Sequence, residues 1–181
     1  MCQAWAMAPD SIVVVGGKAR RLGGIDKAML PLGPDGTSIL QTVVSACPAR
    51  VVAVGAQRDI AGDVTWIDDI IADGGPAVGL WSALPHVTTD YVFITAADQL
   101  IDSASVQQVC DAAPSHDGAW AVRADGTGQP LFACVKSDVL RELLAPTHGV
   151  NQSPLRLLST RDMVGVTVKQ GDIIDVDTWA D

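Results

Sequence analysis

Short β-branched runs alternate along the chain with segments of helical periodicity, and this alternation limits what the chain can fold into. Ser11 to Val15, Arg50 to Gly55, Val64 to Asp68 and Asp90 to Thr95 read as buried strands. Between them, Thr37 or Ser38 can cap a helix whose inward face is Ile39, Val43, Ala46 and Cys47. Pro76 opens a second helix with Leu80, Ala83 and Leu84 as its buried stripe, and Ser103 caps a third that carries Val106, Val109 and Cys110. Strands joined by crossover helices make a mostly parallel sheet covered on both faces. The expected fold is therefore α/β, a single three-layer Rossmann-like domain over 11–181, with 1–10 as a loose tail. A chain of 181 residues that is 48% hydrophobic fills one such core and leaves little for a second.

The last third is less regular. Ala119 to Arg123 and Pro130 to Val135 flank a Gly- and Asp-bearing stretch that reads as a hairpin or short insert between two strands. Ser137 caps a helix through Leu144, Ser153 or Pro154 starts another through Leu158, and Val164 to Val168 and Ile173 to Val176 are strands. In sheets of this kind ligands bind where strands end, so the loops after Val15, Asp68 and Thr95 are the places to look.

Charge narrows the partners. With 21 acidic residues against 12 basic ones and a formal net charge of -9, the chain is not built to capture nucleic acid or an anionic membrane broadly. Cys2, Cys47, Cys110 and Cys134 are far apart without C-x-x-C or Cys/His pairing, which suits a reduced, cytoplasmic protein without structural zinc. No apolar run approaches the about 20 residues that span a bilayer. His86, His116 and His148 have no metal-ligand spacing, and the five tryptophans are scattered as packing residues are.

Four of the 12 basic residues, Lys18, Arg20, Arg21 and Lys27, fall in the loop after the first strand. That loop reads Gly16-Gly17-Lys18-Ala19-Arg20-Arg21-Leu22-Gly23-Gly24-Ile25-Asp26-Lys27. It is neither of the common phosphate loops, since G-x-x-x-x-G-K-[ST] is absent and Gly16-Gly17 does not continue as G-x-G-x-x-G. Its composition suits a triphosphate, because glycine lets backbone N–H groups approach phosphate oxygens while Arg21 and Lys27 neutralise charge. A flexible basic surface loop has the same composition, so residue types alone leave both readings open.

The same run closely resembles the signature of molybdenum cofactor guanylyltransferases, a strand followed by L-A-G-G-x-S/A-x-R-M-G-x-D-K. Asp68 followed by Gly75-Pro76-Ala77-Val78-Gly79 is similar to the family's D…G-P-L-A-G segment, and Thr95-Ala96-Ala97-Asp98 to its C-D-x-P turn. Gln129-Pro130-Leu131-Phe132-Ala133 resembles its late Q-P-L-x-A strand, and Asp175-Val176-Asp177-Thr178 its N-x-N-T or D-x-N-T end. Three departures stand out: Val15 replaces the usual Ala, Gln99-Leu100 lacks the family's Pro, and Gly55 stands where some relatives have a nucleotide-contacting Asn.

The resemblance implies a Mg²⁺-dependent transfer of GMP from GTP to molybdopterin, with release of pyrophosphate. Gly16 and Gly17 would admit the phosphates, Val14 and Val15 would line the base pocket or serve as core strand, and Arg21 and Lys27 would hold the triphosphate. Asp98 would bind metal, where the plain alternative is capping of the following helix, and Asp177 would be its second ligand. Gly55, Asp68, Gly75, Pro76 and Gly79 complete the implied nucleotide contacts, with Asp69 and Asp73 read as loop residues. The implied partners are GTP and molybdopterin, a monomer or weak homo-oligomer, and transient contact with cofactor-accepting enzymes. CTP, a sugar-phosphate acceptor, or a non-catalytic GTP-binding relative are the competing readings.

Overall fold

The computed structural model describes residues 8–16, 26–32, 35–71, 74–123 and 125–168, together with the backbone of 174–175. Strand β1 (Asp10–Val14) begins inside the segment expected as a tail, and a 3-10 turn at Lys27–Met29 leads to a small hairpin of β2 (Pro31–Leu32) and β3 (Thr37–Ser38). Helix α1 (Ile39–Ala46), β4 (Val51–Val54), β5 (Val64–Ile67) and α2 (Pro76–Ala83) follow. Then come β6 (Tyr91–Ala96), β7 (Gln99–Leu100), α3 (Ser103–Ala112), β8 (Gly118–Val122) and β9 (Gly128–Lys136). The described chain closes with α4 (Ser137–Leu144), α5 (Pro154–Leu158), β10 (Met163–Thr167) and β11 (Ile174–Asp175).

Among the described residues the main sheet has the order β10-β8-β9-β6-β1-β4-β5. β1 runs parallel to both β4 and β6, β5 to β4, and β10 to β8, while β9 is antiparallel to β6 and β8. The mostly parallel sheet is thus as expected, and the stretch read as a hairpin is the β8–β9 connection. The late strand at 174–175 does not join this sheet. It pairs antiparallel with β7, Asp175 opposite Gln99.

Side chains alternate across β1, and each face has its own helices. Val13 and Val15 point into a core with Ile39, Leu40 and Val43 of α1 and Val106, Val109 and Cys110 of α3. Ile12 and Val14 point the other way, to Ala77, Leu80 and Ala83 of α2 and to Leu140, Leu144 and Leu158 of α4 and α5. Burial on both faces is why these strands read as unbroken apolar runs. No helix among the described residues is long and apolar enough to cross a membrane.

The caps differ in detail from their sequence reading. Ser38 Oγ accepts from the Gln41 amide at 3.1 Å, as expected for α1. At α3 the cap is Asp102, whose Oδ1 accepts from the amides of Ala104 and Ser105 at 2.9 and 3.0 Å. Ser103 is already helical, because Asp102 is the last extended residue and its carboxylate reaches the free amides first. Ser137 likewise lies inside α4, where its hydroxyl donates to the Thr89 carbonyl at 2.7 Å rather than capping.

At its amino end β1 is anchored by Asp10, which is 4% exposed. Its Oδ2 accepts from the Thr88 amide (2.8 Å), the Thr88 hydroxyl (3.1 Å) and Arg50 Nη2 (3.1 Å). Burial alone would push this carboxyl up, but the hydrogen bonds from Thr88 and Arg50 outweigh it and hold it below the ordinary 3.8. Because the folded value is the lower one, Asp10 stabilises the fold fully above 3.8, and that contribution is lost as the pH falls through the folded value. Asp10→Ala strands the Thr88 and Arg50 donors and is expected to cost about 2 kcal/mol in urea unfolding at neutral pH. It should also flatten the loss of stability on acidification; an unchanged acid profile would assign that loss to other carboxylates.

Candidate active site

The parallel strands are locked in register to their last residues. The Ala97 amide donates to the Val14 carbonyl (3.0 Å), the Val15 amide to the Val54 carbonyl (2.8 Å), and the Gly55 amide to the Ile67 carbonyl (2.9 Å). Gly16, Gly55, Asp68 and Asp98 therefore all leave the sheet at one edge. Gly16 is exposed, with open space where a Cβ would stand. Gly17 and Arg21 lie outside the described residues, as does Asp177.

Val14 and Val15 are both buried, 7% and 6% exposed, on opposite faces. Gly55 supports them in a way its sequence position did not suggest. Its φ is +134°, and a Cβ there would sit 2.1 Å from the Val15 carbonyl oxygen. Glycine is needed because the β4 exit crosses directly over the β1 backbone just before Gly16.

On the α2 side, Gly75 (φ +85°) precedes Pro76 at the first helical position, and the Gly75 carbonyl accepts from Val78 (3.1 Å) and Gly79 (3.2 Å). As a crossover helix following a parallel strand, α2 starts at the carboxyl edge, where the positive end of its dipole favours an anion. Gly79 leaves room between α2 and β1: a Cβ there would meet Asp69 Oδ1 at 3.3 Å and Val14 Cγ1 at 3.5 Å. Asp68 is exposed, whereas Asp69 is half-buried with its carboxylate turned onto α2. The next residue, Ile70, donates its amide to Ser82 Oγ at 3.1 Å and pins this loop to the helix. Asp69, read from sequence as a loop residue, thus lies closest to the β1–α2 junction. The small Gly79 in the facing helix was the signal for it.

On the other face, the Lys27–Met29 turn packs through buried Ala28 against the same cluster as Val15, Ala97 and Ile101. Lys27 is half-buried, its carbonyl accepting from the Leu30 amide at 3.1 Å. Arg58, from the loop after β4, donates through Nε to Asp26 Oδ2. No sequence signal singled out Arg58.

Asp98 is half-buried in the turn after β6 and makes no hydrogen bond or ion pair to a described residue. Gln99 beside it is 4% exposed, and its buried Oε1 has no hydrogen-bond partner among the described residues. The β7–β11 pairing brings Asp175 opposite Gln99, one residue from Asp98 and two before Asp177 in sequence. A half-buried carboxylate with no described protein cation, at the end of the strand beside β1, fits a hard divalent cation with oxygen ligands. No group of three His, Cys, Asp or Glu side chains that could hold a metal occurs among the described residues. His116 instead meets Asp162 at 2.8 Å, and His148 stacks on Trp81 at 4.9 Å.

A profile of the MobA-like NTP transferase domain family matches residues 11–163. The chain belongs to this family. A molybdenum cofactor guanylyltransferase from Pseudomonas entomophila is 29% identical over 136 residues, 71% of each chain. The crystal structure of a Mycobacterium tuberculosis Rv0371c homologue from Mycobacterium sp. strain JC1 is 26% identical, with a TM-score of 0.71 over 94% of this chain and 90% of that one. Rv0371c of M. tuberculosis H37Rv, in complex with manganese, has the same fold at 19% identity, with a TM-score of 0.69 over 96% and 95% of the two chains.

The Gly55 crossing gives a direct check on this architecture. Gly55→Ala forces a Cβ into the Val15 carbonyl at a φ that alanine avoids, and should destabilise the protein by at least about 2 kcal/mol in urea unfolding. Unchanged stability would mean that the β4 exit does not cross β1 as described.

Proposed function

We propose that the protein transfers GMP from GTP to molybdopterin, releasing pyrophosphate and forming a guanine dinucleotide cofactor. The observation that carries this reading is the placement of the β1 end. It lies between the Lys27 turn on one face and the α2 N-terminus on the other, with Asp98 at the end of the adjacent strand. Family membership and the name of the Pseudomonas relative support the same activity.

In this reaction a phosphate oxygen of molybdopterin attacks the α-phosphorus of GTP in line, and the bond from that phosphorus to the bridging oxygen breaks. Pyrophosphate leaves with the electron pair. The chain's own contribution is positioning and charge compensation. Lys27, with Arg21 and the backbone of Gly16 and Gly17, would hold the triphosphate and stabilise charge growing on the leaving group. The α2 N-terminus supplies further positive potential from backbone amides. Guanine would be selected by hydrogen bonds to its edge from Asp68 or Asp69 and from backbone between Gly74 and Gly79, where an unpaired buried group disfavours another base. Asp98, with Asp177, would hold Mg²⁺, which when bound supplies a Lewis acid that screens the phosphate charge.

Lys27→Ala should lower pyrophosphate release from GTP and molybdopterin by about 100-fold or more with Tm unchanged. Near-normal turnover of that variant would sink the assignment. A thermal-shift panel of GTP, CTP, ATP and UTP with and without Mg²⁺ tests the base: a metal-dependent rise in Tm for GTP above the others is expected. A preference for CTP moves the protein to cytidylyl transfer, and GTP binding without pyrophosphate release makes it a non-catalytic relative.

A further inference from the structure

The turn that carries Lys27 is held from outside by one guanidinium. Arg58 Nε donates to Asp26 Oδ2, while its Nη1 donates to the carbonyls of Ala56 and Gln57. The residue before Lys27 is thereby tied to the exit of β4, next to the point where Gly55 crosses β1. Backbone bonds carry the constraint onward. The Asp26 carbonyl accepts from the Met29 amide and the Lys27 carbonyl from the Leu30 amide, both at 3.1 Å, so fixing Asp26 fixes the turn.

Stability does not account for this arrangement. The two side chains are 26% and 39% exposed, and ion pairs so open to water add little to folding. Function does account for it, because a carboxylate one residue from a phosphate-holding lysine repels the phosphates unless a cation compensates it. Arg58 supplies that cation, and its planar fork grips the carboxylate and two carbonyls together, which a lysine cannot do.

We propose that Arg58 is a positioning residue for nucleotidyl transfer: through Asp26 it sets the direction in which Lys27 meets the triphosphate and cancels the Asp26 charge. This inference rests on the GMP-transfer reading above.

The test compares wild type with Arg58→Ala, Arg58→Lys, Lys27→Ala and the double variant Lys27→Ala/Arg58→Ala. The measurements are pyrophosphate release with GTP, molybdopterin and Mg²⁺, amide hydrogen exchange, and Tm. Arg58→Ala should lower kcat/KM for GTP by at least about tenfold with Tm nearly unchanged, and Arg58→Lys should recover only part of the loss. In the Lys27→Ala background the same change should cost nothing more, since the arginine acts through the lysine. Exchange at the Met29 and Leu30 amides should quicken by about tenfold in Arg58→Ala, with Val13 in the central strand unaffected. Full additivity with Lys27→Ala, activity within about twofold of wild type, or unchanged exchange at Met29 and Leu30 each overturns the proposal. A wild type that releases no pyrophosphate overturns the GMP-transfer reading instead; exchange at Met29 and Leu30 then decides alone whether Arg58 holds the turn.

Discussion

Everything at the candidate site hangs on β1 being hydrogen-bonded, to its last residue, between β4 and β6. The bonds from Ala97 to Val14 and from Val15 to Val54 bring three strand ends to a common edge. A slip of one residue would turn Val14 and Val15 to the wrong faces and move Asp98 away from Gly16. The other end of the strand is fastened as firmly by the buried Asp10, with Arg50 and Thr88 around it. A strand held at both ends and buried on both faces is a rigid platform, and loops that must meet a ligand within tenths of an ångström need one.

Around that platform the two helical layers contribute opposite walls. α1 and α3, with the Ala28 turn, form one, and α2 with its Gly75–Pro76 start forms the other. Positive potential comes from a lysine on the first and from the helix dipole on the second, so on the proposed reading a chain of net charge -9 presents a local positive end to the triphosphate. Acidic groups stand among these, each with a physical reason. Asp26 is compensated by Arg58, Asp69 is packed onto Gly79, and Asp98 stands half-buried at the end of β6 with no described protein partner.

Much of the fold was legible because β1, β4 and β6 are short β-branched runs and each helix start bears Ser, Asp or Pro. Where the reading slipped, two neighbouring residues could do the same job, as Asp102 and Ser103 could at α3, and geometry chose between them. Asp68 and Asp69 are the same case at the site. The sequence offers two adjacent carboxylates, and only the docking of Ile70 on Ser82 turns the second onto α2. Gly55 was noticed as a departure from a family pattern, but its reason, the crossing over Val15, needs two strands in place.

By itself the sequence determined the alternation of strands and helices, and with it a mostly parallel three-layer sheet whose strands end at Val15 and Thr95. It also set a glycine-rich basic segment directly after the first strand in the chain, because those choices depend on residue type and local spacing. Tertiary structure alone decided which acid faces α2, which residue steadies Lys27 and what stands opposite Gln99. Such pairings join residues distant in the chain, Asp26 with Arg58 and Gln99 with Asp175, and no local pattern records them.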